Sequence, residues 1–407
     1  MSSYLFVIGL CVVVIISFLF NVVARKTNIP SVLMLILLGM GMRQMFNYFG
    51  IEPEYFNTLE VLGIVGLIMI VLEAALDLEL TKEKKPIILK SLLISLISLV
   101  ASSLLIAWSI QFFVQNIGFL PALIYAIPFS IMSSAIIIPS VGNLSKNKRE
   151  FMIYESTFSD IFGIMFFYFL IENFNLSDAE TVALVLSGNI ILTLSLSVVL
   201  SYILLLIIQN IKSQARFFLF LSVLVLMYAV AKLFHLSSLL IILIFGLLLG
   251  NYKVLLWGKL KNWLKADAID SLLGNFKMIT IETSFVVRTF FFVVFGISIS
   301  LESLTHPNIW FLSGVLIVIL YLVRLFSFVV VDRKDYFPQV FLAPRGLISI
   351  LLFYAIPSEF LVDEFEGGTL LLVIMASSII MAGALIADRK SARRAVSTLA
   401  SKRTVES

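Results

Sequence analysis

Of the 407 residues, 60% are hydrophobic and only 13% are charged, against about 25% charged in soluble domains, so most of this chain is excluded from water and belongs in a bilayer. A net charge of +4 is too small to argue for nucleic acid. The single cysteine, Cys11, rules out a disulfide framework or a cysteine-based metal site and reads as a small apolar core residue.

A hydrocarbon layer about 30 Å thick takes about 20 apolar residues as helix. Met1 to Tyr4 carry neither the cationic start nor the small-residue cleavage site of a signal peptide, so the opening run reads as a retained span. In chain order, thirteen segments qualify: 4–23, 29–47, 57–78, 88–115, 119–141, 149–173, 180–209, 215–234, 237–252, 276–299, 308–331, 337–357 and 368–387. They are long and continuously apolar, without the ten-residue alternation of membrane strands, which predicts an all-α polytopic membrane protein. Alternate connections carry the lysines and arginines, among them Arg25, Lys84, Lys148, Arg216, Lys265 and Arg333. The others hold acids such as Glu54, Asp178, Glu302 and Asp363. The positive-inside rule then places the N-terminus outside and the C-terminus, with its short basic tail 389–407, in the cytoplasm. The connection 251–275 interleaves Trp257, Leu260, Trp263 and Leu264 with lysines, the pattern of an interfacial amphipathic linker.

Thirteen spans divide as a six-helix repeat (1–173), a linker helix (174–212) and a second six-helix repeat (213–388), and the odd linker turns the second repeat upside down in the membrane. Helix breakers fall in the fifth span of each half. The fifth segment runs from Pro128 through Ser130, Ser133 and Ser134 to Pro139, and the twelfth contains Pro344-Arg345-Gly346. Unwound backbone at membrane depth is tolerated only where protein or a water-filled cavity surrounds it, so paired interruptions point to a central binding site.

A charge at bilayer centre costs about 2.5 to 3.5 kcal/mol on insertion scales, and each therefore needs a partner or a function. The candidates are Glu73, Glu155, Asp160, Glu282, Arg288, Arg324 and Arg345. In the sixth segment Ser156 and Asp160, four apart, share one helix face, and Glu155 and Ser159 share the adjacent one. A carboxylate beside a hydroxyl offers hard oxygen ligands to a partly dehydrated alkali cation. A proton or a cation would neutralise that carboxylate, and the two exclude one another, the minimal chemistry of antiport. Glu155 reads instead as half of a structural ion pair with an always-charged arginine, Arg324 or otherwise Arg345. Glu73 is a third cation ligand or an entrance acid; Glu282 and Arg288 are stabilising or interface charges. With two histidines, His235 and His306, near predicted outer ends and no hydrolytic motif, nothing argues for an enzyme.

At these residues the chain resembles the monovalent cation/proton antiporter superfamily, especially its NhaP-like sodium/proton exchangers. The resemblance covers nearly the whole sequence, through Leu37-Leu38-Gly39-Met40-Gly41, Leu72-Glu73-Ala74-Ala75-Leu76, the interrupted fifth segment, Glu155-Ser156 with Asp160, Phe290-Phe291-Phe292 to Gly296, and Ala343-Pro344-Arg345-Gly346. It implies an NhaA-like antiporter fold. It also implies exchange of Na+ (or Li+ or K+) for H+, with no cofactor, and binding of the ion by Asp160 and Ser156. Glu73 then stands as the helix-3 acid, Ser133 or Ser134 as the ligand from the unwound fifth helix, and Glu155 pairs with Arg324. A homodimer in the plasma membrane, the inner membrane of a bacterium, is implied as well, with the fourth to sixth and eleventh to thirteenth helices moving against a fixed scaffold. The chain departs from the family pattern at Ser133-Ser134-Ala135, where close relatives have Thr-Asp-Pro, and at Ser159, where Asn is usual. The double aspartate of electrogenic members is absent, so one-for-one electroneutral exchange is expected. The competing class, a cation channel or a sodium-coupled small-solute symporter, would share the broken helices and lacks an evident organic-substrate site here.

Overall fold

The computed structural model describes residues 3–27, 29–50, 56–78, 80–81, 83–114, 117–172, 192, 195–207, 209–210, 216–233, 238–255, 263, 265–299, 302–331, 336–361 and 367–405. These form helices with no strands among the described residues: α1 (Ser3–Thr27), α2 (Ser31–Tyr48), α3 (Phe56–Asp77), α4 (Lys85–Phe113), α5 (Phe119–Ser130), α6 (Ser134–Ser140), α7 (Lys146–Glu172), α8 (Ser195–Ile207), α9 (Arg216–Leu233), α10 (Ser238–Gly250), α11 (Tyr252–Leu255), α12 (Ala266–Ser298), α13 (Pro307–Val331), α14 (Leu347–Tyr354) and α15 (Gly367–Val405). Six helical stretches among them are long and apolar enough to cross a membrane, and three shorter apolar helices, α8, the Phe218–Leu233 part of α9, and α10, accompany them. The protein is a multi-pass integral membrane protein. The count of thirteen spans turns on segments such as 180–191, which, with Glu54, Asp178, His235, Trp257, Leu260, Leu264, Arg333 and Asp363, lie outside the described residues.

Two groups of helices pack around the middle of the chain. One joins α2, α3, α10 and α12; the other joins α4, α5, α7, α13 and α15. Glycines set the closest approaches in the first group. A Cβ on Gly39 would run into the Val293 carbonyl, and one on Gly296 into that of Ile36, so α2 and α12 touch backbone to backbone. Asn251, just past α10, accepts the Leu80 N–H at 2.6 Å and donates to Leu78 O at 2.7 Å, which fastens α10 to the end of α3. The tenth segment is longer than the hydropathy predicts: α12 starts at Ala266, ten residues before 276, where the Lys253 ammonium and the Tyr252 hydroxyl hold Asp270 at 2.7 and 3.0 Å. Cys11 is exposed rather than packed in a core, because α1 leaves most of its surface outside the bundle.

Candidate functional site

The fifth segment breaks between its prolines rather than at them. Pro128 lies inside α5 and Pro139 inside α6, while the chain is extended at Ile131 (φ −73°, ψ 132°) and Ser133 (φ −79°, ψ 111°). The twelfth segment does the same. A turn of 3-10 helix, Gln339–Phe341, gives way to non-helical chain from Leu342 through Gly346 before α14 begins at Leu347. The two unwound stretches touch, with Ser133 N–H donating to Pro344 O at 2.9 Å. Gly346 is needed at this crossing, since a Cβ there would meet the Ser133 side chain and Ile136 Cδ1. Gly163 on α7 is needed too, because a Cβ would strike the Ile131 side chain.

Unwinding frees backbone groups that must find partners in a region without water. At the end of α5 the orphan carbonyls go to Arg345, whose Nε donates to Phe129 O at 2.7 Å and whose Nη2 donates to Ser130 O at 3.3 Å, while Nη1 donates to Ala343 O. The freed N–H groups go to α7, where Ser159 Oγ accepts from Met132 N–H at 2.9 Å and Asp160 Oδ2 accepts from Ser134 N–H at 3.2 Å. A cation thus faces the partly negative end of α5, and a carboxylate faces the partly positive end of α6.

Asp160 is 6% exposed, and its second oxygen, Oδ1, is buried without a hydrogen-bond partner. A carboxylate oxygen left so can still take a proton or a cation. Asp160 lines a narrow cleft between α7, α3 and α10, whose walls are otherwise apolar, among them Ile70, Val71, Ala74, Leu239 and Leu243. The one other polar group on that wall is Thr157, three residues before Asp160 and on the same helix face. Sequence reasoning passed over Thr157, although that spacing could have found it. Ser156 is fully buried one turn before Asp160, and its hydroxyl donates to Ile153 O at 3.2 Å within its own helix. Ser133 Oγ is buried and unpartnered at the crossing.

The remaining intramembrane charges resolve into pairs. Arg324 grips Glu155 with two bonds of 2.6 and 2.9 Å and also donates to Gln339 O and Val340 O; the two side chains are 4% and 1% exposed. Arg324 rather than Arg345 is therefore the partner of Glu155. Glu73 faces Arg288 at 3.1 Å across α3 and α12 and does not line the Asp160 cleft; one turn along α3, Asp77 meets Lys277 at 2.7 Å. Glu282 and His306 are exposed.

The fold is similar to that of the sodium proton antiporter MjNhaP1 from Methanocaldococcus jannaschii. Its structure at pH 8 superimposes with a TM-score of 0.69 at 19% identity, covering 95% of each chain. A second structure of the same antiporter, an electron-microscopy map, gives 0.66 at 18%, covering 96% of this chain and 97% of that one. No curated protein sequence matches the chain. The family model described as sodium/hydrogen exchanger, transmembrane, matches residues 12–387. With the match running through both crossed breaks and every paired intramembrane charge, the chain belongs to the sodium/hydrogen exchanger family.

Proposed function

We propose that the protein exchanges a monovalent cation, Na+ in the first instance, for a proton, and that both compete for Asp160. The observation that carries this reading is the Asp160 carboxyl itself, with one oxygen fixed by the N-terminus of α6 and the other buried, unpartnered and set in a cleft between two helix groups. A proton or a desolvated cation satisfies the orphan oxygen, and both together do not. Ser134, which already binds Asp160, together with Ser133, Ser156 and Thr157 supplies the neutral oxygen ligands in this reading, with Ser159 holding the break in register. Loaded with either cargo the Asp160 carboxyl is itself neutralised. Empty, it presents a bare carboxylate whose burial is expensive, and this difference keeps the unloaded core from crossing.

Exchange is electroneutral in this reading, because Glu155 and Glu73 are each paired with an arginine, which leaves Asp160 as the single unpaired acid at the crossing. The same reading takes the chain as two inverted six-helix repeats about a linker, assembled as a homodimer with its C-terminus in the cytoplasm. The experiment is dissipation of a pH gradient in proteoliposomes on adding sodium, lithium or potassium, native against Asp160→Asn. A cation-dependent response lost in the variant supports the assignment and names the ion. A flux that persists in Asp160→Asn, or that ignores pH, favours a channel or symporter, and a current that follows the sodium gradient under voltage clamp refutes electroneutrality.

A further inference from the structure

A second cavity lies behind the break, on a different face of α7 from the cation cleft. Small, with room for about one water-sized body, it is lined by α4, α5, α7, α13 and the α14 approach and touches none of α3, α10 or α12. Its walls mix polar residues, Ser95, Ser98 and Ser102 from α4, Ser130, Ser159, Glu155, Arg324 and Arg345, with Met132 and Leu320. Ser159 and Asp160 are consecutive, so the two cavities lie on neighbouring faces of the same turn of α7.

The hydrogen atoms decide what this cavity takes. Ser95, Ser102 and Ser130 donate their hydroxyl protons to carbonyls of their own helices. The Ser98 hydroxyl has no partner although its oxygen is buried. Ser159 accepts from Met132 and keeps its proton free. Arg345 places three of its N–H groups on carbonyls, leaving two of five. The Glu155 carboxylate is already spanned by both arms of Arg324. What remains in the pocket is a set of donors and an arginine without a carboxylate of its own. Two guanidiniums balance two carboxylates only while Asp160 is ionised; once a proton or cation neutralises Asp160, the core carries one unbalanced positive charge.

We infer that this pocket binds a monovalent anion of halide size, held by Ser98, Ser159 and Arg345, and that its occupancy is linked to loading of Asp160. Linkage is reciprocal, so the anion raises the affinity of the core for its cargo. This last step rests on the assignment of Asp160 proposed above; the binding site does not.

The test uses the full-length protein purified in chloride-free gluconate. Adding choline bromide should raise its melting temperature, crystals grown with bromide should show one anomalous peak beside Ser98, and the apparent KM for the exchanged cation should fall by about tenfold in chloride relative to gluconate. Ser98→Asp supplies the negative group covalently and should show the low KM in gluconate and no halide response. If that variant does not fold, Ser98→Ala should retain exchange and lose the halide response. Water alone in the pocket, with melting and KM indifferent to halide, overturns the inference. Because the melting and anomalous measurements need no transport, a bromide peak in a protein whose coupling survives Asp160→Asn would overturn the exchange reading and leave the anion site standing.

Discussion

Breaking the Glu155–Arg324 pair should be asymmetric, and the asymmetry follows from who else each partner holds. Arg324→Met leaves the Glu155 carboxylate at 1% exposure with both of its close hydrogen bonds gone. Glu155→Leu leaves Arg324 still donating to the carbonyls of Gln339 and Val340 and lying 5.1 Å over the Phe328 ring. Removing one partner of a buried pair costs about 3 to 5 kcal/mol, because the survivor remains charged and dry. Arg324→Met should lie at the upper end, and Glu155→Leu about 1 to 2 kcal/mol below it, one or two hydrogen bonds to a charged group being retained. The double variant Glu155→Leu/Arg324→Met buries no charge and should be milder than Arg324→Met alone, since apolar replacements of such pairs are often neutral. Thermal unfolding of the purified protein in detergent, read by intrinsic fluorescence, gives the order. If the double variant is as unstable as the two single losses added together, the pair is not a coupled unit and the desolvation argument fails.

Two further outcomes follow from the crossing and the cleft. Gly346→Ala places a methyl against the Ser133 side chain and Ile136 Cδ1. Overpacking of this kind costs about 1 to 3 kcal/mol; because it falls on the crossing beside Asp160, exchange rate should drop more than melting temperature does, and an unchanged rate would mean that the two stretches do not need to stay in contact. Thr157→Val keeps the shape of the cleft wall and removes its only oxygen besides Asp160. Loss of one neutral ligand should raise the cation KM by roughly three- to tenfold, the equivalent of about one net hydrogen bond, with Thr157→Ser close to native; an unaltered KM would place the cation away from that face of α7.

Much of this architecture was legible because a bilayer leaves few places for a charge. Asp160, Glu155 and Arg324 stood out as ionisable residues inside long apolar runs, and the Glu155–Arg324 contact was available from the rule that a buried acid seeks an arginine. Pairing across 169 residues was nonetheless a choice between Arg324 and Arg345, and only the fold decides it: α13 delivers Arg324 to α7, while Arg345 is consumed by the carbonyls that α5 releases. The prolines announce a broken helix without locating the break, because Pro128 and Pro139 are each accommodated inside a half-helix. Glu73 was the harder case. Val71 and Ala74 beside it in sequence do line the cleft, and nothing in a one-dimensional pattern says that Glu73 turns towards Arg288.

The fold gives Arg345 and Asp160 complementary places at the two ends of one broken helix. A helix broken at mid-membrane exposes two opposite partial charges, about half an elementary charge each, at the end of α5 and the start of α6. Arg345 compensates the first permanently. Asp160 compensates the second only while ionised, and that is the form in which its other oxygen demands a proton or a cation. Replacing Arg345 by methionine should therefore damage the break whatever the cargo, lowering melting temperature and maximal rate together, whereas Asp160→Asn, which keeps an acceptor oxygen for Ser134 N–H, should leave the protein folded and uncoupled. Equal loss of melting temperature in both would show that the carboxylate is held for structure, and the place of exchange would have to be sought elsewhere in the cleft.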